Sequence, residues 1–173
     1  MTKKIVILCL SALLVCSCTR QAPQRPSQRK GEAATVDSAA LALMQMNQQL
    51  AFAADREVTK ASQLQGEPFA VYDAKTWVHI SDRGDASSGT PKEGERWVIR
   101  MQVCNLDGLL LEDSEHSYCI RKGELPAAVE ENISELHHGA KARLIAPWYS
   151  AFGAQGTTHI PPYENVIIDI ELK

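Results

Sequence analysis

The chain has 173 residues, a formal net charge of −3 and a pI near 6.0. That balance excludes the broad basic surface that nucleic-acid binding needs, and no nucleic-acid motif occurs, so no nucleic-acid partner is expected. The 45% hydrophobic content is ordinary and is enough to build a packed core.

Lys3 and Lys4 precede an apolar run from Ile5 to Val15. A positive start and a short apolar stretch make residues 1–17 an export signal. The run is too short for a permanent spanning helix, which needs about 20 apolar residues. It ends in Val15-Cys16-Ser17-Cys18, which resembles a bacterial lipobox. Cys18 fits that pattern better than Cys16, because small Ser17 precedes Cys18 and bulky Val15 precedes Cys16. The resemblance implies cleavage after Ser17 and acylation of Cys18, and two or three acyl chains hold a protein stably on a membrane. An ordinary secretory signal with incidental cysteines is the alternative. Removing the signal leaves roughly 156 residues, enough for one domain with its own core.

Residues 18–32 are the lipidated cysteine and a tether. Thr19 to Glu32 holds two prolines, four Arg/Lys and three glutamines, with no aliphatic side chain larger than alanine. Such a segment cannot bury a core and is expected to be disordered. Residues 33–67 form a helical segment. Asp37-Ser38 is placed to cap a helix from about Ala39 to Leu64, in which Leu41, Met44, Leu50, Ala54, Val58 and Ala61 recur at helical spacing. Gly66-Glu67-Pro68 ends it. This stripe is a packing face, or alternatively a surface for a second copy or a client.

Residues 68–173 read as an α+β domain. Thr76 to Ser81 is a short strand, followed by a Gly/Ser/Asp/Pro-rich loop from Asp82 to Gly94. Trp97 to Cys104 alternates, with Trp97, Ile99, Met101 and Val103 on one side and Arg100 and Gln102 facing water. Asp107-Gly108 signals a hairpin. A second strand starts at Leu109, is interrupted by an acidic loop from Glu112 to His116, and resumes at Tyr118. Pro126 to Leu136 fits a short helix with Pro126 in its first turn. Ala142 to Ala146 and Val166 to Leu172 complete an antiparallel sheet.

Export favours an oxidising compartment, which invites a disulfide between Cys104 and Cys119. A tight hairpin opposes it, placing Cys104 opposite Leu111 and Cys119 opposite Arg96, so that only a large bulge would join the sulfurs. The five histidines have no ligand-like grouping, and neither a metal nor another cofactor is indicated. Glu112 to His116 reads as a solvated bulge.

The order of motifs in the last eighty or so residues resembles the FKBP-type peptidyl-prolyl isomerases. Ile145-Ala146-Pro147 followed by Ser150-Ala151-Phe152-Gly153, then Gly156 and Ile160-Pro161-Pro162, matches the family's strand end and loop. Asn165 to Leu172 matches its closing strand, Gly139-Ala140-Lys141-Ala142 the turn before the sheet, and Gly94 to Gly108 the first hairpin, with Glu95 in place of an aspartate. From about Met46 the layout is similar to that of lipid-anchored bacterial members with an N-terminal helix, including gliding-motility-associated FKBP-like lipoproteins. The resemblance implies an FKBP-like antiparallel sheet wrapped on a short α-helix. It also implies X–Pro isomerisation in unfolded or exported polypeptides, at the periplasmic side of the outer membrane.

Carried over position by position, the resemblance puts Phe152 where the family has a loop tyrosine, keeping the ring and losing the hydroxyl. Glu112 replaces an aspartate beside Leu111, which replaces an aromatic residue. Met101 stands for a tyrosine, Tyr118 for an aromatic wall residue, and Val129 for a tryptophan floor. Ile160 and Ile168 match apolar wall positions. Leu125 and Pro126 fall where two aliphatic residues present a backbone donor, which proline lacks. His159 borders the loop and is either a substrate contact or an exposed loop residue. A pocket with fewer rings implies weakened activity, or a binding module without catalysis.

Overall fold

The computed structural model describes residues 30–173, with side chains described from Ser38 onward. The export signal, Cys18 and most of the tether lie outside the described residues. Met44–Lys173 forms one compact unit, and of the residues before it only the first part of a helix is described.

That helix, α1, runs Lys30–Leu64. It begins ahead of the expected Asp37-Ser38 cap, because Ala33, Ala34 and Ala39 favour the helix and no proline interrupts it. It ends where expected, and Gly66 follows in the left-handed region with φ +75°. Only the second half of the apolar stripe is used: Ala54, Val58 and Ala61 are buried, whereas Leu41, Met44 and Leu50 are exposed.

Six strands follow: β1 Ala70–Val71, β2 Trp77–Asp82, β3 Arg96–Asn105, β4 Leu110–Cys119, β5 Lys141–Ala146 and β6 Val166–Leu172. Their order in the sheet is β1-β2-β5-β6-β3-β4, antiparallel throughout. β3 has the expected alternation, with Trp97, Ile99, Met101 and Val103 buried and Arg100 exposed. The β3–β4 hairpin turns through Gly108, at φ +87°.

β4 differs from the expectation. No loop interrupts it: Glu112 to His116 is paired residue by residue with Val103 to Ile99. The one irregularity is a shift between Val103 and Cys104, which sets Cys104 opposite Leu110. Cys119 stands opposite Arg96 near the other end of β3, and both cysteines are free. The second helix, α2, is also shorter than expected, spanning Ala127–Glu130 with Pro126 at its N-cap. Beyond it the Asn132 side-chain amide donates back to the Ala128 carbonyl at 2.8 Å. This local bond competes with continued helix.

The sheet has two covered faces. On the concave face, β3, β5 and β6 pack against Leu125, Ala128, Val129, Ile133 and Leu136. On the convex face, Val58 and Ala61 of α1 pack against Ile145 and Ile167, with Trp77 and Leu106 beside them. Burying such faces removes apolar surface from water at about 25 cal/mol per Å², which holds both helices to the sheet.

Candidate functional site

The loop from Pro147 to Pro162 leaves β5 and returns toward β6 at one end of the concave face. Its first turn is tied by backbone bonds, with the amides of Ser150 and Ala151 donating to the Pro147 carbonyl at 3.0 and 3.1 Å. The Gly153 amide donates to Trp148 at 2.8 Å. Gly156 adopts φ +64°, and a Cβ there would meet the Ile160 carbonyl oxygen at 2.2 Å. Only glycine fits that close approach. The Thr157 hydroxyl accepts from the amides of His159 and Ile160, and the Thr157 amide donates to the Ile160 carbonyl at 2.8 Å. The Ser150 carbonyl accepts from the Ala128 amide at 2.8 Å, which fixes the loop to the start of α2.

These bonds hold Phe152 half-buried against the concave core. Leu111 and Tyr118 of β4 pack against the same core from the far edge. The structure therefore brings Phe152, Leu111, Tyr118, Met101, Leu125, Val129, Ile160 and Ile168 to one apolar cluster. Their exposures divide them, however. Val129 and Ile168 have no exposed surface, Ile160 is 1% exposed, Met101 4% and Leu125 6%. These five are closed over by their neighbours and support the floor, while Phe152, Leu111 and Tyr118 present surface. Pro126 is half-buried at the edge, and its carbonyl accepts from Val129 and Glu130, both at 2.9 Å.

The polar rim comes from β4. Glu112 stands opposite inward-facing Val103, and Ser114 opposite inward-facing Met101, so both lie on the concave side. His116 follows on the same side, its ring edge-on to Tyr118 with centroids 6.1 Å apart. The Glu112 carboxylate lies 3.9 Å from Nδ1 of His159, whose side chain is 66% exposed. The Ser114 hydroxyl is buried with no hydrogen-bond partner. A buried hydroxyl left without a partner costs roughly 1–3 kcal/mol. Sequence reasoning missed Ser114 and His116 because it read their segment as a solvated loop.

Trp148 and Tyr149 face away from Phe152 in their bonding. Trp148 packs edge-on to Tyr149 and Tyr163, with centroids 5.5 and 4.9 Å away. The Tyr149 hydroxyl donates to the Asp55 carboxylate of α1. Burial, and then that hydrogen bond, push the Tyr149 phenol well above its ordinary range, so it remains a donor. A polar cavity of about 290 Å³, lined by His79, Arg100, Lys141, Arg143 and Asp169 among others, is separate from this site. Arg143 there holds Asp169 through two bonds, at 2.6 and 2.9 Å. Among the described residues no group of three or more His, Cys, Asp or Glu is placed to hold a metal ion.

An apolar cluster beside a glycine-bearing loop, on a six-stranded antiparallel sheet with a short helix, agrees with the family that the motifs resemble. The sequence profile of the FKBP-type peptidyl-prolyl cis-trans isomerases matches residues 88–173. The peptidyl-prolyl cis-trans isomerase Fkbp12 of Drosophila melanogaster is 30% identical over 95 residues, which is 51% of this chain and 87% of that protein. The chain belongs to the FKBP-type peptidyl-prolyl cis-trans isomerase family. Its enzyme class is therefore peptidyl-prolyl isomerase.

Solved structures agree on the fold. A peptidyl-prolyl cis-trans isomerase from Pseudomonas syringae pv. tomato superposes with a TM-score of 0.59 at 19% identity, over 72% of this chain and 92% of that one. FkpA from Escherichia coli gives 0.58 at 20% identity, over 99% of this chain and 80% of its own. The N-terminal domain of FKBP42 from Arabidopsis thaliana gives 0.52 at 16%, over 61% of this chain and 90% of its own.

Proposed function

We propose that this FKBP-type chain isomerises X–Pro bonds in exported polypeptides while anchored through Cys18 to the periplasmic side of a bacterial outer membrane. The observation that carries the catalytic part is the position of Phe152, half-buried at the mouth of an apolar face and held by the loop's backbone bonds.

The chemistry asks for little else. Rotation about an X–Pro bond faces a barrier of roughly 20 kcal/mol and takes tens of seconds unassisted. No proton transfer or nucleophile is needed. A catalyst has only to bind the twisted amide better than either planar isomer, and the twisted amide has lost resonance and much of its hydration. Phe152, Leu111 and Tyr118 offer the apolar surface for the proline ring, and Ile160, Met101, Leu125, Val129 and Ile168 keep that surface in place. Glu112 and His159 supply polar groups at the rim for the flanking backbone. The anchor reading rests on Lys3, Lys4, the apolar run and Val15-Cys16-Ser17-Cys18. Among the described residues, no helix is long and apolar enough to cross a membrane.

A second reading has an observation of its own. Pro126 lacks an amide donor, and Val129 leaves no ring at the floor, so proline would be held by less contact area. On that reading the groove holds clients without accelerating rotation, as a chaperone or accessory lipoprotein.

A protease-coupled assay on proline peptides, using the full mature chain in mild detergent, separates the two. The isomerase reading expects acceleration, with Phe152→Ala lowering kcat/KM by about tenfold or more as ring contact is lost. No acceleration across several residues preceding proline would leave only the binding module. The intact mass of the mature chain tests the anchor, which an unacylated N-terminus would rule out.

A further inference from the structure

α1 packs on the convex face of the sheet, through Val58 and Ala61 against Ile145 and Ile167. The cluster that includes Phe152 lies on the other face. One side chain of α1 nevertheless reaches the loop that carries Phe152, and a second reaches Asn165 just ahead of β6. The Asp55 carboxylate accepts from the Tyr149 hydroxyl. The Glu57 carboxylate accepts from the Asn165 side-chain amide at 2.7 Å, and the Asn165 carbonyl oxygen accepts from the Trp148 backbone amide at 2.9 Å. Asn165 is 8% exposed, immediately before β6, so the second relay runs through a nearly buried amide with both of its ends engaged.

On the loop's other side, the Ser150 carbonyl accepts from the Ala128 amide at 2.8 Å, and Val129 follows in the pocket floor. Trp148, Tyr149 and Ser150 are thus held from two directions, by α1 and by α2, immediately ahead of Phe152. Ring packing of Trp148 on Tyr149 and Tyr163 adds to the α1 side.

We infer that α1 is part of the isomerase machinery as a clamp, in which Asp55 and Glu57 are positioning residues that set the loop and so the place of Phe152. This rests on the isomerase reading above. A loop that must present a ring to a transition state loses rate when its geometry loosens by even an ångström. Charge-assisted bonds to a carboxylate are the stronger kind; Asp55 holds the segment between β5 and Phe152 directly at Tyr149, and Glu57 holds it through Asn165 at Trp148. The helix that begins nearest the membrane tether is therefore the same element that tensions the catalytic loop.

The test uses the full mature chain in four forms besides the parent: Asp55→Ala, Asp55→Asn, Tyr149→Phe, and Asp55→Ala with Tyr149→Phe. Amide hydrogen exchange is followed by mass spectrometry, and kcat/KM is measured on a proline peptide. The clamp expects Asp55→Ala and Tyr149→Phe each to speed exchange in 149–156 by about tenfold, as the loss of one such bond implies. It expects kcat/KM to fall by a similar factor, with exchange in 141–146 unchanged as the control for folding. Asn keeps an acceptor, so Asp55→Asn retains most of the protection that Asp55→Ala loses. The double variant is no worse than either single one, because both break the same bond. Exchange and kcat/KM within twofold of the parent in both single variants would overturn the clamp, as would strictly additive losses. If the parent itself accelerates nothing, the isomerase reading fails, and the exchange arm decides whether α1 holds the loop.

Discussion

The loop from Pro147 to Pro162 and the wall formed by β4 with α2 enclose the same apolar face, yet they are built in opposite ways. The loop is fixed by backbone: turns at Pro147 and Trp148, two glycines at positive φ, and the Thr157 cap on Ile160. The wall is fixed by side chains, with Ala128 and Val129 fully buried and Leu111 and Tyr118 leaning on the core. A loop of the first kind tolerates changes of side chain but not of backbone conformation. A wall of the second kind tolerates neither added nor removed volume, while its polar outer side is free to vary. By the resemblance, the family's glycine and proline motifs stand in the loop, whereas in the wall Leu111 and Val129 stand where the family has rings and Tyr118 keeps one.

The sharpest way to break the loop is therefore at its backbone. Gly156→Ala forces a Cβ to within 2.2 Å of the Ile160 carbonyl oxygen and 2.7 Å of that of Pro161, neither of which can yield without moving the turn. A loss of about 2–3 kcal/mol in unfolding free energy is expected, read by urea denaturation, with isomerase activity falling at least about tenfold. Gly153→Ala is the internal comparison. Gly153 also has positive φ, +76°, but nothing lies within 4 Å of the added Cβ, so only the left-handed backbone cost of about 1–2 kcal/mol remains. Equal costs at the two positions would mean that close approach to Ile160 does not shape this loop.

The same difference explains what could be read from the sequence. Gly153 and Gly156 permit the left-handed turns and Pro161 and Pro162 stiffen the return, so the loop and the closing strand were legible from their order. β3 was legible because its inward residues are apolar and its neighbours polar. β4 was not, because Glu112, Ser114 and His116 face inward while Asp113 and Glu115 face out, leaving no alternation for a reader to find. Its strand character comes from pairing with β3, a non-local property. The clamp is less legible still: Asp55 and Tyr149 are 94 residues apart, and Glu57 and Asn165 are 108 apart. Cys104 and Cys119 remained open in the sequence; the hairpin expectation set Cys119 opposite Arg96, as the structure has it, but a shift at Val103 puts Cys104 opposite Leu110 and not Leu111.

Of the wall, Val129 is the residue to test next. The resemblance sets it where the family has a tryptophan floor, and it has no exposed surface. If the floor were an open recess waiting for a ring, Val129→Trp would fill it at no cost and tighten proline binding. The structure instead surrounds Val129 with Leu125, Ile133 and the sheet, with its amide committed to Pro126 at 2.9 Å. Overpacking of about 1–3 kcal/mol is expected, seen as a lower midpoint in urea at an unchanged slope. A variant as stable as the parent, with a lower KM for proline peptides, would show that the wall retains room for the lost aromatic.

The smallest effect belongs to the outer side of the wall. Asp113 on β4 is held by Arg100 of β3 through two bonds, at 3.2 and 3.0 Å, and by the Gln102 amide at 2.9 Å. The Arg100 guanidinium, and then Gln102, keep the Asp113 carboxyl below its usual range. A depressed carboxylate stabilises the fold above its unfolded pKa of about 4, and that contribution disappears as pH falls through the lower folded value. The parent should therefore lose slightly more thermal stability between about pH 4 and pH 2 than Arg100→Gln does. The pair is exposed, so about 1 M salt should erase the difference. An acid response that the Arg100→Gln substitution leaves untouched would place the acid-sensitive contacts elsewhere.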